Sequence, residues 1–228
     1  MRVLTWNLFH GRSVPDTRRS LLAEFAETIA GWAWDVALLQ EVPPWWPREL
    51  ARAARAAAAS APTSRTWLLP LRRRAAERRP DLVKAAGGGA NAILVRGRVL
   101  PGQRWATLRR VPERRLVHGV RLADGTWVSN LHAQAHLPAA ARADAAKAGA
   151  LTLQWAAGAP AVIGGDFNHR DPAVDGFTVA ASARIDHVLV HGLSAAGPGR
   201  RLERGRLSDH PPVLAELSPA PAGRSRGA

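Results

Sequence analysis

Ala161-Val162-Ile163-Gly164-Gly165-Asp166-Phe167-Asn168 is the stretch on which the reading of the fold turns. A short apolar run of this kind suits a buried strand, and glycines at its end admit a close approach of backbone or ligand that a side chain would block. Asp166 and Asn168 stand two residues apart, the register in which strand side chains point the same way. The reading is a strand that delivers an acid and an amide into a site. Taken alone, the octapeptide also fits an ordinary strand end followed by an Asx turn.

Working outward, other apolar runs also end in polar residues. Arg2 to Leu8 alternates, carries β-formers and reads as a first strand ending at Asn7. Leu21, Leu22, Phe25, Ile29 and Trp32 recur at helical spacing behind an expected cap at Asp16 or Thr17. Val36-Ala37-Leu38-Leu39 then reads as a strand ending in Gln40-Glu41. Pro47 opens an Ala-rich helix expected to reach about Ala59, Arg65 to Leu69 reads as a short strand, and Arg72 to Lys84 as a basic helical stretch with a solvated face, interrupted by Pro80. Gly87-Gly88-Gly89-Ala90-Asn91 leads into a strand from Ala92 to Val95; with no Lys-Ser/Thr and no helix after it, this is not a P-loop. Ala123-Asp124-Gly125 joins Leu116–Leu122 to Thr126–Leu131 as a hairpin, and a long helix is expected from Pro138 to about Ala157. Ile185 to Val190 and Val213 to Leu217 complete the strands. Residues 1–217 are thus expected to form one domain, and Ser218 to Ala228, rich in Pro, Gly, Ser and Arg, a disordered tail.

Composition bounds the chemistry. With 46% hydrophobic residues and nine tryptophans, the 228-residue chain can bury a core sufficient to fold alone. Cysteine is absent, which excludes disulfides and thiolate metal sites and confines any metal to oxygen and imidazole ligands. The opening Met1-Arg2-Val3-Leu4-Thr5-Trp6-Asn7 turns polar too soon for a signal peptide, and no run approaches membrane-spanning length. A soluble, cytoplasmic monomer without a transmembrane segment is the expectation. The formal charge of +14 is almost wholly arginine, Lys84 and Lys147 being the only lysines. Such a balance suits polyanions: nucleic acid, phosphorylated small molecules or anionic headgroups. GC-rich coding yields the same richness in Ala, Arg, Gly and Pro, so the charge does not select the substrate.

The polar residues stranded at the ends of apolar runs are Asn7, Glu41, Asn91, His132, Asp166, Asn168, Asp186, Asp209 and His210. Carboxylates, amides and imidazoles without a thiol are the inventory for a hard divalent cation on oxygen ligands beside a proton-transferring histidine. Their order and spelling resemble the endonuclease/exonuclease/phosphatase superfamily of metal-dependent phosphoesterases, of which pancreatic-type deoxyribonuclease is an example. The matching pieces are Thr5-Trp6-Asn7, Leu39-Gln40-Glu41-Val42, Gly89-Ala90-Asn91-Ala92, Asn130-Leu131-His132, Gly164-Gly165-Asp166-Phe167-Asn168, Arg184-Ile185-Asp186-His187 and Ser208-Asp209-His210-Pro211. Any one is weak; seven in order over nearly the whole chain are a strong signal.

The resemblance implies an α/β fold, a four-layered sandwich of two packed mixed β-sheets flanked by helices, with the site at one rim and Mg²⁺ or Mn²⁺ as cofactor. It implies Glu41 as the principal metal carboxylate, helped by Asn7 and by Asp209 directly or through water. Asp166 would orient or deprotonate the attacking water, and Asn168 would hold that water or a phosphoryl oxygen. His210, oriented by Asp186, would contact the phosphate, the base being either His210 or Asp166. His132 would be a second imidazole on the phosphate, and Asn91 would contact phosphate or fix His132. Arg115, or its neighbour Arg114, adds a candidate guanidinium clamp. One departure stands out: many nuclease members carry an acid or amide two residues after the first Asn, where this chain has Phe9, followed by His10-Gly11. His10 is either a substitute phosphate contact or a surface residue, and His169 and His187 read as passengers. The activity implied is phosphodiester hydrolysis of nucleic acid. The alternatives are action on phospholipid, inositol phosphate or another small phosphate ester, and an inactive basic nucleic-acid-binding protein.

Overall fold

A strand buried along its whole length, as Ala161–Asp166 is, needs a layer on each side. The computed structural model, which describes residues 1–63, 69–78, 89–97 and 99–220, supplies both. One sheet contains β1 (Arg2–Asn7), β2 (Val36–Val42), β3 (Ala57–Pro62) and β4 (Ala90–Val95), together with the later β11 (Leu193–Ala195), β12 (Arg200–Arg201) and β13 (Val213–Pro219). Its order is β11-β13-β1-β2-β4-β3, with β12 also on β13. The second sheet contains β5 (Val99–Arg109), β6 (Arg115–Leu122), β7 (Trp127–His132), β8 (Ala161–Asp166), β9 (Thr178–Ala183) and β10 (Asp186–His191), in the order β5-β6-β7-β8-β10-β9. Both are mixed: β1 pairs parallel with β2 and antiparallel with β13, and β7 pairs parallel with β8, which pairs antiparallel with β10.

Alternation of side chains fixes four layers. Leu38, Ile93, Val128, Val162 and Val188 fill the space between the sheets. The outer face of the first sheet, with Leu4, Trp6 and Leu39, is covered by α1 (Leu22–Gly31) through Phe25 and Ile29 and by α2 (Pro47–Ala54) through Leu50. The Trp6 and Phe25 rings lie 5.1 Å apart, both fully buried, and each such burial contributes about 1.5–3 kcal/mol. The outer face of the second sheet, with Val117, Leu131, Ile163 and Leu189, is covered by Ala141, Ala145 and Ala148 of the long helix Pro138–Ala156. Among the described residues no helix is long and apolar enough to cross a membrane.

The two glycines of the opening stretch serve this packing. A Cβ on Gly165, whose φ is +151°, would lie 1.8 Å from the Leu131 carbonyl oxygen; one on Gly164 would lie 2.7 Å from Leu38 Cδ1 in the opposite sheet. The close approach they admit is therefore of backbone and of sheet to sheet.

Several local expectations change. Neither Asp16 nor Thr17 caps α1, which begins at Leu22; the Asp16 carboxylate instead accepts from Arg12 and the Arg18 N–H. The Ala-rich helix ends at Ala54 because Arg55 turns left-handed at φ +52°, and Ala57–Pro62 pairs with Ala90–Val95 as an edge strand, cross-strand pairing overriding the helix propensity of alanine. The strand expected at Ala92 starts at Ala90, which places Asn91 inside it. β5 and β9 carry no clean alternation, so local pattern does not mark them as strands. Leu69–Arg78 is helical, so Leu69 is not in a strand, while 64–68, 79–88 (with Gly87, Gly88 and Pro80) and 221–228 lie outside the described residues. Ser218 and Pro219, expected in the tail, belong to β13.

Candidate active site

Register builds one rim. His132 at the end of β7 is the cross-strand partner of Asp166 at the end of β8, and Asp166 is the partner of Asp186 at the start of β10. In the facing sheet Asn7 ends β1 opposite Gln40, one residue before Glu41. A bulge between Leu39 and Val42 interrupts the β2–β4 ladder, and Glu41 sits in it at φ +50°. An L residue held in the left-handed region costs of order 1–2 kcal/mol, a conformation typical of functional positions.

Asp166 is the focus. Its Oδ2 accepts from Asn7 Nδ2 at 3.0 Å and lies 3.5 Å from His132 Nε2 and 3.8 Å from His210 Nε2. Its Oδ1 accepts from the Asn168 N–H at 2.9 Å, closing the Asx turn that the octapeptide also allowed. The strand ends at Asp166, so Asn168 does not continue its period; at φ +49° its Nδ2 donates to the Ala133 carbonyl at 3.0 Å and leaves Oδ1 for other use.

Fully buried Asp186 receives His210 Nδ1, at 2.9 Å from Oδ2 and 3.1 Å from Oδ1. Burial raises the Asp186 carboxyl to about 7, against the lowering influence of the His210 hydrogen bond. For His210, burial alone would lower the pKa; the hydrogen bond and charge of Asp186, with Asp166 and Asp209 nearby, raise it to about 9. Its backbone is pinned too: Trp6 Nε1 donates to the His210 carbonyl, the His210 N–H donates to Ser208 Oγ, and that hydroxyl donates to the Asn7 carbonyl. A cavity of about 300 Å³ is lined by Arg184, Ile185, Asp186, Asp209, His210 and Pro211. Asp209 is exposed at its edge, 3.9 Å from His210 Nε2. Asp166, Asp186 and His210 form the compact acid–imidazole cluster of the described residues.

His132 is buried and its pKa is well below the ordinary value, through burial first and then the positive charges of Arg115, His210 and His10. It is a neutral imidazole, with Nε2 3.8 Å from Glu41 Oε1. Glu41 Oε2 lies 3.0 Å from His10 Nε2, so the His10 ring faces Glu41 and is largely buried. Arg115 is buried beside this group but is paired with Glu113. Asn91 donates to the Leu116 carbonyl at 3.4 Å and makes no hydrogen bond to His132. His187 and His169 are structural: His187 spans Ser182 Oγ and the His169 carbonyl, both at 2.7 Å, and His169 accepts from Arg142.

Sequence reasoning assigned no role to Gln40 or Asn130. Gln40 Nε2 donates across the sheets to Asn130 Oδ1 at 2.7 Å, and Asn130 Nδ2 donates to the Leu39 and Ala92 carbonyls. This buried bridge fixes β7 against β2 and hence His132 against Glu41. The signal available was a polar side chain inside each buried strand.

A four-layered α/β sandwich with carboxylates and imidazoles converging at one rim defines a hydrolase acting on phosphate ester bonds. The chain belongs to the endonuclease/exonuclease/phosphatase family, whose model matches residues 4–210 and whose members generally depend on a divalent metal. Similar solved structures include an endonuclease/exonuclease/phosphatase from Beutenbergia cavernae (19% identity, TM-score 0.71, covering 96% of this chain and 71% of that one). Two others are the mannosyl-6-phosphatase Bt3783 of Bacteroides thetaiotaomicron (15%, 0.67, 96% and 99%) and TDP2 from C. elegans (16%, 0.64, 94% and 74%). No curated protein matches the sequence.

Proposed function

We propose that this protein hydrolyses phosphodiester bonds of nucleic acid, using Mg²⁺ or Mn²⁺ held by Glu41 with Asn7 and Asp209. The donor set fits a hard cation. Asn7 Oδ1 accepts one hydrogen bond, from the Phe9 N–H, and keeps a second lone pair. Four carboxyls, Glu41, Asp166, Asp186 and Asp209, surround a neutral His132 and a protonated His210, an acidic island in a chain of net charge +14. Bound there, the ion supplies Lewis-acid stabilisation of charge on the phosphoryl group.

The observation that carries the reading is the position of Asp166 Oδ2 between two imidazoles, 3.5 Å from His132 Nε2 and 3.8 Å from His210 Nε2. Water held there has a carboxylate to accept its proton. His210, already protonated at neutral pH, donates to a phosphoryl oxygen, which assigns the base role to Asp166. His132 contacts the same phosphate and Asn168 Oδ1 orients the water, while Arg115, held by Glu113, and Asn91, held by the Leu116 carbonyl, stand behind them. A polymeric substrate is supported by Trp105, 55% exposed on edge strand β5 with the Arg114 guanidinium 5.8 Å from its ring centre.

A small phosphate ester is the second reading, favoured by the likeness to a mannosyl-6-phosphatase and by the short segment between Asn168 and Asp186, which carries a single described strand, β9. An inactive binding role is disfavoured by the complete set of acids and histidines. The test is a hydrolysis screen with plasmid DNA, single strands, RNA, bis-p-nitrophenyl phosphate and phospholipid, with each metal and with EDTA. Asp166→Ala and His210→Ala should abolish turnover with the fold intact; unchanged turnover in either, or full activity in EDTA, overturns the reading.

A further inference from the structure

We propose that His10 is a nitrogen ligand of the metal centre, which shifts the site from Mg²⁺ toward first-row ions such as Mn²⁺. The inference rests on the reading that Glu41 holds the ion. Two donor atoms in adjacent positions on one ion, each about 2.1 Å from it, are about 3 Å apart. His10 Nε2 and Glu41 Oε2 are 3.0 Å apart. The contact is built rather than incidental. Phe9, His10 and Gly11 are all left-handed, at φ +49°, +54° and +76°, and Glu41 meets the ring from a left-handed position of its own at φ +50°. The ring is largely buried, and a Cβ on Gly89 would come within 3.8 Å of its Cε1, so the chain closes on its edge.

The far side of the ring leaves the near side free. His10 Nδ1 is buried and has no hydrogen-bond partner among the described residues, so nothing at that end of the ring opposes moving the proton there. Nε2 can therefore donate to Glu41 without an ion and, with the proton on Nδ1, present its lone pair to one. Imidazole nitrogen favours first-row transition ions, whereas Mg²⁺ selects oxygen, and the residue two after Asn7 is the apolar Phe9, which offers no oxygen in its place.

Pulsed EPR on the Mn²⁺-loaded protein tests this without substrate. Imidazole-nitrogen coupling is expected in the wild type and lost in His10→Ala, with Mn²⁺ binding weakened about tenfold or more by titration. His10→Asp, which returns an oxygen ligand, should retain binding, lose the nitrogen coupling and let Mg²⁺ compete more effectively; it also guards against a folding defect in the alanine variant. Equal Mn²⁺ affinity and unchanged coupling in both variants overturns the proposal while leaving the Glu41 site standing, provided Glu41→Gln abolishes binding. Mn²⁺ binding that is absent, or indifferent to Glu41→Gln, overturns both.

Discussion

Asp186→Asn isolates the charge that holds His210. The substitution keeps a hydrogen-bond acceptor near Nδ1 and removes the carboxylate that now contacts it at 2.9 Å. His210 stands at about 9 against an ordinary 6.5, and returning it to that value removes roughly 3 kcal/mol of preference for the imidazolium. His210 should then titrate well below 9, since the hydrogen bond and charge of Asp186 are the largest raising influences; burial pushes further downward, while Asp166 and Asp209 still oppose it. At pH 7.5 the ring then loses protonation, and where it is neutral the phosphate lacks a charged donor, a loss of up to about a hundred- to thousandfold in rate. Stability responds with a definite sign. Between about 6.5 and about 9 native His210 holds a proton that the unfolded chain releases, so its stabilising contribution is complete below 6.5 and disappears as pH rises through 9. Native Asp186, raised from 3.8 to about 7, also binds a proton more tightly than the unfolded chain, and stability declines with pH across that lower window for the same reason. The wild-type Tm should fall from pH 7 to 9, and that slope should be clearly smaller in the variant. NMR titration of the His210 ring, paired with thermal melts, reads both. A His210 that titrates near 6.5 in the wild type, or near 9 in Asp186→Asn, refutes the reasoning.

Other outcomes follow from the same contacts. Asn130→Ala strands the Leu39 and Ala92 carbonyls in the interior and takes away one of the acceptors of the Gln40 amide, which keeps Thr5 Oγ1 and the Leu38 carbonyl, for a loss of about 2 kcal/mol or more in urea unfolding; under about 1 kcal/mol would mean that the bridge does not hold the sheets. Gly165→Ala drives a Cβ into the Leu131 carbonyl and should cost about 3 kcal/mol or more, read as a depressed Tm, with a neutral effect arguing against the close β7–β8 approach. Asp166→Asn retains shape but accepts protons poorly, so turnover should fall at least about a hundredfold with circular dichroism unchanged. EDTA should abolish hydrolysis and either Mg²⁺ or Mn²⁺ restore it; metal-independent turnover would contradict the donor set at Glu41.

Local pattern in the chain is enough to place many of the elements and the polar residues at their ends. Buried runs such as Ala161–Asp166 declare themselves by length and apolarity, and a polar residue closing each run is unusual enough that Asn7, Glu41, His132, Asp166, Asp186 and His210 could be named before any strand was paired. What local pattern cannot carry is which alanines leave a helix, since Ala57–Pro62 becomes a strand through pairing with Ala90–Val95. It takes the folded chain to show that Asn168 holds a turn, that Asn91 faces Leu116, and that Gln40 and Asn130 lock the sheets together. The same holds for His10, which meets Glu41 rather than solvent. The physical reason is common to all four. A polar side chain settles on the partner that burial places within hydrogen-bond reach, and for Gln40 and Asn130 that partner lies 90 residues away in the chain.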